Sequence, residues 1–112
     1  MAQVADLPPI DDDEKVPVTF DFAPELSTGT TVASVVAITC LSTFGIDTNP
    51  SARIIGSAAI APSPSTGAAN QAVRQMVGTM IGGERYRLQC LANISDGQIL
   101  NIDTHADCNA TS

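Results

Sequence analysis

Tryptophan is absent from this 112-residue sequence, and three phenylalanines and one tyrosine supply all its aromatic bulk. A core of Val, Ile, Leu, Met and Ala buries little area per side chain, at ~25 cal/mol per Å² of apolar surface. This composition favours thin sheets over thick helical layers. It predicts a single domain of marginal stability, which gains stability from a partner or a crosslink.

Basic residues are also scarce, since five Lys and Arg face twelve Asp and Glu, for a formal net charge of −7. An acidic surface repels phosphate, so the composition argues against a nucleic-acid partner. No stretch is long and apolar enough to span a bilayer, and the first residues lack the basic and apolar regions of a signal peptide. We therefore expect no membrane partner and synthesis in the cytoplasm.

Cysteines number only three, Cys40, Cys90 and Cys108, and they form neither a CxxC pair nor a Cys–His cluster at zinc spacing. The sequence therefore predicts no metal site. Three is an odd number, so one internal disulfide would leave a thiol free or available to another chain. The alternative is three buried, unreactive thiols.

Residues 1–15 predict an extended acidic arm, because Pro8-Pro9 disfavours helix and an acidic run follows. Leu7 and Ile10 are the apolar positions by which this arm could bind a neighbour; a disordered leader is the alternative. From residue 16 the hydrophobic period becomes two, which is typical of half-buried strands. The pattern thus predicts an arm over 1–15 and a β-sandwich domain over 16–112.

Several strands carry individual signals. Pro17 lacks an amide donor, so the strand over 16–22 is expected at a sheet edge. Apolar residues on both faces of 30–41 predict a central strand, or one covered by another subunit. Gly56 predicts a bulge in the strand over 52–61. The segment 68–81 fits a helix or a strand, and its glycines favour a strand followed by a turn.

The clearest signal is a C-terminal hairpin, with alternating apolar residues on both sides of Asp96-Gly97. A two-residue loop there predicts that Cys90 lies opposite Asp103. Cys108 then lies ~16 Å further along the strand, beyond the ~7 Å that separates the Cα atoms of a disulfide. A bond between Cys90 and Cys108 within the hairpin is therefore not expected.

Candidate chemistry is sparse. His105, between Asp103 and Asp107, could bind metal or move protons, but the three alternate with the apolar set and are expected to face solvent. No Ser–His–Asp set or catalytic carboxylate pair stands out, so the sequence predicts no enzyme and no cofactor. Arg85 and Arg87 are expected to project from one face near Arg74, as a patch that could bind an acidic surface such as the acidic arm of a neighbouring copy. Ordinary surface ion pairs are the favoured interpretation of these arginines.

Four short motifs carry a resemblance: Leu7-Pro8-Pro9-Ile10, Val18-Thr19-Phe20-Asp21-Phe22, Gly82-Gly83-Glu84-Arg85-Tyr86-Arg87-Leu88 and Ser95-Asp96-Gly97. Together they resemble small Ig-like virion proteins of tailed bacteriophages. The chain departs from that pattern by lacking a Trp after the first Asp and by having cysteines at strand positions. The resemblance implies an Ig-like antiparallel β-sandwich without catalytic residues, which decorates or bridges the capsid or sits at the head–tail neck.

This resemblance makes a structural virion protein the leading hypothesis, with the major capsid protein, other virion proteins and further copies of the chain as partners. A neck or collar component, and a host-surface binding module using loop 62–67, are the alternatives. Cys40 and Cys90 would be compatible with the intersheet disulfide of Ig domains. Cys108, near the end of the sequence, is expected to be accessible and to crosslink to another subunit under oxidising conditions.

Overall fold

Strands dominate the computed structural model, which describes residues 2–3, 10–11, 14–45 and 47–109. Two short turns of 3₁₀ helix, Ala23–Glu25 and Pro50–Arg53, precede β4 and β5. The strands are β1 (Ala2–Gln3), β2 (Ile10–Asp11), β3 (Lys15–Asp21), β4 (Val32–Phe44), β5 (Ile54–Ala61), β6 (Ala72–Gly78), β7 (Arg85–Ile94) and β8 (Ile99–Asn109).

The strands form two sheets that pack as a sandwich. One sheet has the order β8–β7–β4, with β1 and β2 parallel to the outer side of β8, and the other has the order β3–β6–β5. All pairs among β3 to β8 are antiparallel. If β3 to β8 are equated with strands B to G, the sheets correspond to B–E–D and C–F–G of an Ig domain. The predicted all-β, Ig-like sandwich is confirmed.

Alternating side chains build the core between the sheets. Every second residue of β7 is buried, from Tyr86 to Ile94, while the residues between them are half-buried on the outer face. In the facing sheet, Phe20 and Val73 are 1% and 0% exposed. Burying each such side chain contributes about 1.5–3 kcal/mol. The period of two in the sequence therefore identifies the core positions of these strands.

Three strand predictions are confirmed. The strand containing Pro17 is β3, which lies at an edge of its sheet. The segment 68–81 contains strand β6, not a helix. Gly56, at φ +70°, lies where the pairing of β5 with β6 shifts between Ile55 and Ala59. The buried amide of Gln75 donates there to the carbonyl oxygens of Ile55 and Gly56, at 2.9 and 3.2 Å.

The predicted position of the second strand is wrong in one respect. Among the described strands β4 pairs only with β7, so it is an edge strand and not a central one. Three irregularities interrupt its register, and Val36 and Leu41 both remain 47% exposed. No other part of the chain that the structure describes covers these two apolar side chains. The alternative, that another subunit covers them, stays a prediction.

The predicted hairpin loop is one residue too short. Ile94 N donates to Gln98 O at 2.8 Å around a three-residue loop, and Gly97 adopts φ +95°. A type I turn followed by a left-handed glycine is typical of such loops. Cys90 consequently lies opposite Ile102, not opposite Asp103. This register keeps the apolar residues of β7 and β8 on the same face.

The described residues of the predicted arm contribute strands to the domain's own sheet. β1 pairs with β8 at Ile102 and Asp103, and β2 pairs with it at Cys108 and Asn109. Ile10 is 5% exposed and belongs to the hydrophobic core. It is therefore not free to anchor a neighbour in this conformation. Leu7, the other predicted anchor, lies outside the described residues.

Candidate functional site

Exposed apolar side chains occur on both sheets of this acidic domain. Two of the six, Val36 and Leu41, belong to β4, and Ile99 on β8 is the most exposed, at 58%. An exposed single apolar residue needs no explanation, but a contiguous patch marks an interaction surface. The six found in the described part of the chain are Val36, Leu41, Ile60, Met76, Ile81 and Ile99.

The side of β4 that faces away from β7 forms what we call the β4 edge. Its regular part runs from Ala37 to Ser42, where the pairing with β7 has no irregularity. In the described part of the chain no strand pairs with this side, so alternate N–H and C=O groups point outward. None of the thirteen residues of β4 is charged. A long, uncharged edge of this kind is a template for pairing with another strand.

The other three sheet edges are protected in ways that natural proteins commonly use. Pro17 removes a donor from β3, and Lys15 places a charge there. β1 and β2 cover part of the β8 edge. The β5 edge is distorted by the irregularity at Gly56. Among the described edges, β4 is therefore the least protected.

An open cleft separates β4 from β5 on this side of the sandwich. Its volume is about 360 Å³. The apolar side chains of Val35, Ile38 and Ile54 line it and are only half-buried. Ser57 and Gln75 also line the cleft, so the β4 edge borders a surface of mixed polarity.

A buried polar network fixes the chain that follows β4. The Glu84 carboxylate, on a residue 5% exposed, accepts hydrogen bonds from Ser42 Oγ at 3.0 Å and from Asp47 N at 2.9 Å. Gly45 allows this approach, because a Cβ there would lie 1.6 Å from Glu84 Oε2. The network therefore depends on a residue without a side chain at position 45.

Tyr86 connects this network to the turn before β7. Its hydroxyl donates to Asp47 Oδ2 at 2.7 Å and accepts from Ile81 N at 3.1 Å. Arg53 forms an ion pair with the same carboxylate, with Nε 3.1 Å from Oδ2. A tyrosine at the start of strand F that bonds to backbone upstream is typical of Ig-like domains. The motif Gly-Glu-Arg-Tyr was therefore a usable signal for this contact, which the sequence interpretation missed.

The surroundings of the contact between Tyr86 and Asp47 shift the pKa of both side chains. Burial by itself raises the pKa of Asp47, but hydrogen bonds from Tyr86 and Asn49 N and the charge of Arg53 outweigh it and lower the pKa. Burial, together with the hydrogen bond to Asp47, raises the pKa of Tyr86. At neutral pH the contact therefore joins a neutral phenol to a carboxylate. It is a structural contact without a group poised for proton transfer.

The two arginines predicted to bind a partner contact acidic side chains of their own domain. Arg85 Nη1 lies 2.8 Å from Asp107 Oδ1, and Arg87 pairs with Asp103 on the same outer face. Asp103 is only 3% exposed, so the expectation that it faces solvent is wrong. Arg87 lies against Asp103, and β1 pairs with β8 at this residue. These contacts match the favoured interpretation as ordinary ion pairs, and binding of a neighbour's arm stays a prediction.

Arg74 does not extend this patch. It is exposed on β6, in the sheet opposite to the one that contains Arg85 and Arg87. The expected cluster of three arginines is therefore wrong, because the two sheets turn their outer faces in opposite directions.

The cysteines correct two further expectations. Cys40 and Cys90 lie on β4 and β7, neighbouring strands of one sheet, and pair with Leu88 and Ile38, so they cannot bridge the two sheets. Cys108 was expected to be accessible, but it is buried beside Ile10, with 3% of its surface exposed. None of the three cysteines forms a disulfide. Burial raises the pKa of Cys40 and of Cys90 to about 12, which makes both weak nucleophiles.

Loop 62–67, the predicted recognition loop, is anchored by Asp21. One carboxylate oxygen accepts from Ser63 Oγ at 2.8 Å and the other from Ser65 Oγ at 2.5 Å. Burial alone raises the pKa of Asp21, but the hydrogen bonds from Ser65, Ser63 and Ala23 N lower it overall. The loop is thus held to β3 by polar contacts.

The described residues show neither a metal-binding cluster nor a membrane-spanning helix. His105 is half-buried on β8, and no group of three or more His, Cys, Asp or Glu side chains in the described ranges could hold a metal ion. The described part of the chain contains no helix long and apolar enough to cross a membrane.

Comparison with known proteins gives no relative. No protein family, no curated protein and no solved structure matches the chain.

Proposed function

We propose that this chain is a structural, non-enzymatic protein of a tailed-phage virion, which decorates or crosslinks the capsid lattice. The observation that carries the proposal is the distribution of exposed apolar side chains. Five of the six found in the described residues lie on strands of the two sheets and Ile81 precedes β7, so a domain with a net charge of −7 has exposed apolar groups on more than one side. The resemblance of the four sequence motifs to small Ig-like virion proteins supplies the virion context.

The chemistry of the polar groups supports the same proposal. Carboxylates such as Asp47 and Glu84 accept several hydrogen bonds from the chain itself, and the Cys40 and Cys90 thiols are buried. These groups therefore stabilise the fold. Such a domain contributes buried area and binding contacts, and many weak contacts to a lattice add up through multivalency.

Immunogold labelling tests this function. Antibody raised against the purified chain is applied to purified virions whose genome encodes it, and virions of an unrelated phage serve as the control. We expect label over the whole head. Label restricted to the head–tail vertex would favour the neck alternative, and label on the tail tip or fibres would favour a host-surface module. The chain's absence from purified virions, checked by mass spectrometry, would overturn the proposal.

A further inference from the structure

The least protected of the described sheet edges is that of β4. We infer that β4 pairs antiparallel with β4 of a second copy of this chain, so that the two β8–β7–β4 sheets become one continuous sheet. This inference goes beyond the proposed function, because self-pairing requires no other virion protein.

Two copies that each carry a net charge of −7 repel each other overall, so self-pairing must use a surface without charged residues. The chain carries a net charge of −7, so a basic partner would be drawn to its acidic surfaces. β4, with no charged residue among its thirteen, offers such a partner no ion pair. An uncharged strand can instead approach it without desolvating a charge, and β4 itself is such a strand.

The side-chain pattern of β4 is compatible with itself. Ala37, Thr39 and Leu41 are exposed, whereas Ile38 and Cys40 between them point towards the core. In antiparallel pairing, directly opposed residues lie on the same face of the sheet. Every register in which the paired residue numbers add to an even total therefore brings exposed residues together and core-facing residues together. The half-buried Ile38 of each copy would extend the apolar interior across the junction.

The size of the contact predicts its strength. The regular segment Ala37–Ser42 has six residues, so it is ~20 Å long at ~3.3 Å per residue. A strip of this length falls below the ~1,000 Å² that a stable interface usually buries. We therefore expect a weak dimer, with a dissociation constant on the order of 100 µM. High local concentration in an assembly would populate it.

Sedimentation equilibrium over a range of concentrations up to about 1 mM tests the pairing. The variant Val36→Lys/Leu41→Lys places like charges beside the β4 edge, as natural edge strands do. The matched control, Met76→Lys/Ile99→Lys, makes the same change of charge at exposed apolar positions outside β4. We expect the wild type and the control to dimerise, and dimerisation of the β4 variant to be weakened by about tenfold or more. Circular dichroism verifies that each variant is folded.

Hydrogen exchange identifies the surface independently of the variants. In the dimer, outward-pointing amides within Ala37–Ser42 should exchange more slowly at high protein concentration than at low concentration. A wild-type chain that stays monomeric up to about 1 mM, a β4 variant that dimerises as well as wild type, or unchanged exchange in this segment would each overturn the inference. A monomer that still labels the phage head would leave the proposed function intact. A chain that dimerises but is absent from purified virions would leave the inference intact and overturn the proposed function.

Discussion

Replacing Tyr86 with phenylalanine removes one oxygen atom from the buried network and leaves the ring in place. The Asp47 carboxylate loses a donor at 2.7 Å, and Ile81 N loses its acceptor at 3.1 Å. A hydrogen bond to a charged group contributes about 1.5–3 kcal/mol, and an unpaired buried donor costs about 1–3 kcal/mol. Because Asp47 keeps its contacts with Arg53 and Asn49 N, we expect a total loss of about 3 kcal/mol.

Urea denaturation measures this loss. With a slope of about 1.5 kcal/mol per M, the midpoint should fall by about 2 M. The variant pair Asp47→Asn and Tyr86→Phe, measured singly and together, should show a coupling energy of about 1–2 kcal/mol. A loss within about 0.5 kcal/mol, the range of ordinary surface substitutions, would contradict the role assigned to the hydroxyl.

The same prediction has a pH dependence. The pKa of Asp47 is lower in the folded chain than its ordinary value of 3.8, so its stabilising effect is present above that value and is lost as the pH falls through the folded pKa. The difference in stability between wild type and the phenylalanine variant should therefore shrink below about pH 4. A difference that stays constant down to about pH 2 would show that the ionised carboxylate is not the partner.

Two further predictions concern glycine and thiol positions. Gly45→Ala should destabilise the chain by more than about 2 kcal/mol, since its Cβ would overlap Glu84, whereas Gly29→Ala, at φ +83° with open space around it, should cost only about 1 kcal/mol of strain. Equal losses in thermal denaturation would contradict this contrast. Cys40 and Cys90 should resist a thiol reagent at pH 8 in the native protein and react fully in urea, because burial raises the pKa of each thiol to about 12. Rapid labelling of either one in the folded chain would refute their burial.

Periodicity in the sequence was sufficient to predict the strands and most of the core. The hairpin register could also have been derived correctly. Apart from Leu91 and Ile99, the apolar residues of β7 and of β8 occupy even positions, such as Tyr86 and Ala106, and opposed residues share a face. Paired numbers must therefore add to an even total, which excludes the two-residue loop. The dipeptide Asp96-Gly97 by itself predicts a two-residue loop, whereas its glycine closes a three-residue loop.

Tertiary placement was harder to predict because it depends on contacts distant in sequence. The apolar residues on both faces of β4 do not distinguish a strand between two neighbours from an edge strand with an exposed face. Burial of Asp103 depends on Arg87 and on β1, about a hundred residues earlier. The cysteine pattern likewise does not reveal that Cys40 and Cys90 belong to the same sheet. These features require the topology, which local patterns leave open.

The parallel pairing of β1 and β2 with β8 has a mechanical consequence. Ala2 lies beside Ile102, whereas Asn109 lies seven positions further along β8 in the same direction. Tension that draws Ala2 and Asn109 apart therefore acts along the paired strands. It loads their hydrogen bonds together in shear and does not open them one after another. A domain joined to neighbours through both of these segments would resist stretching most strongly along that axis.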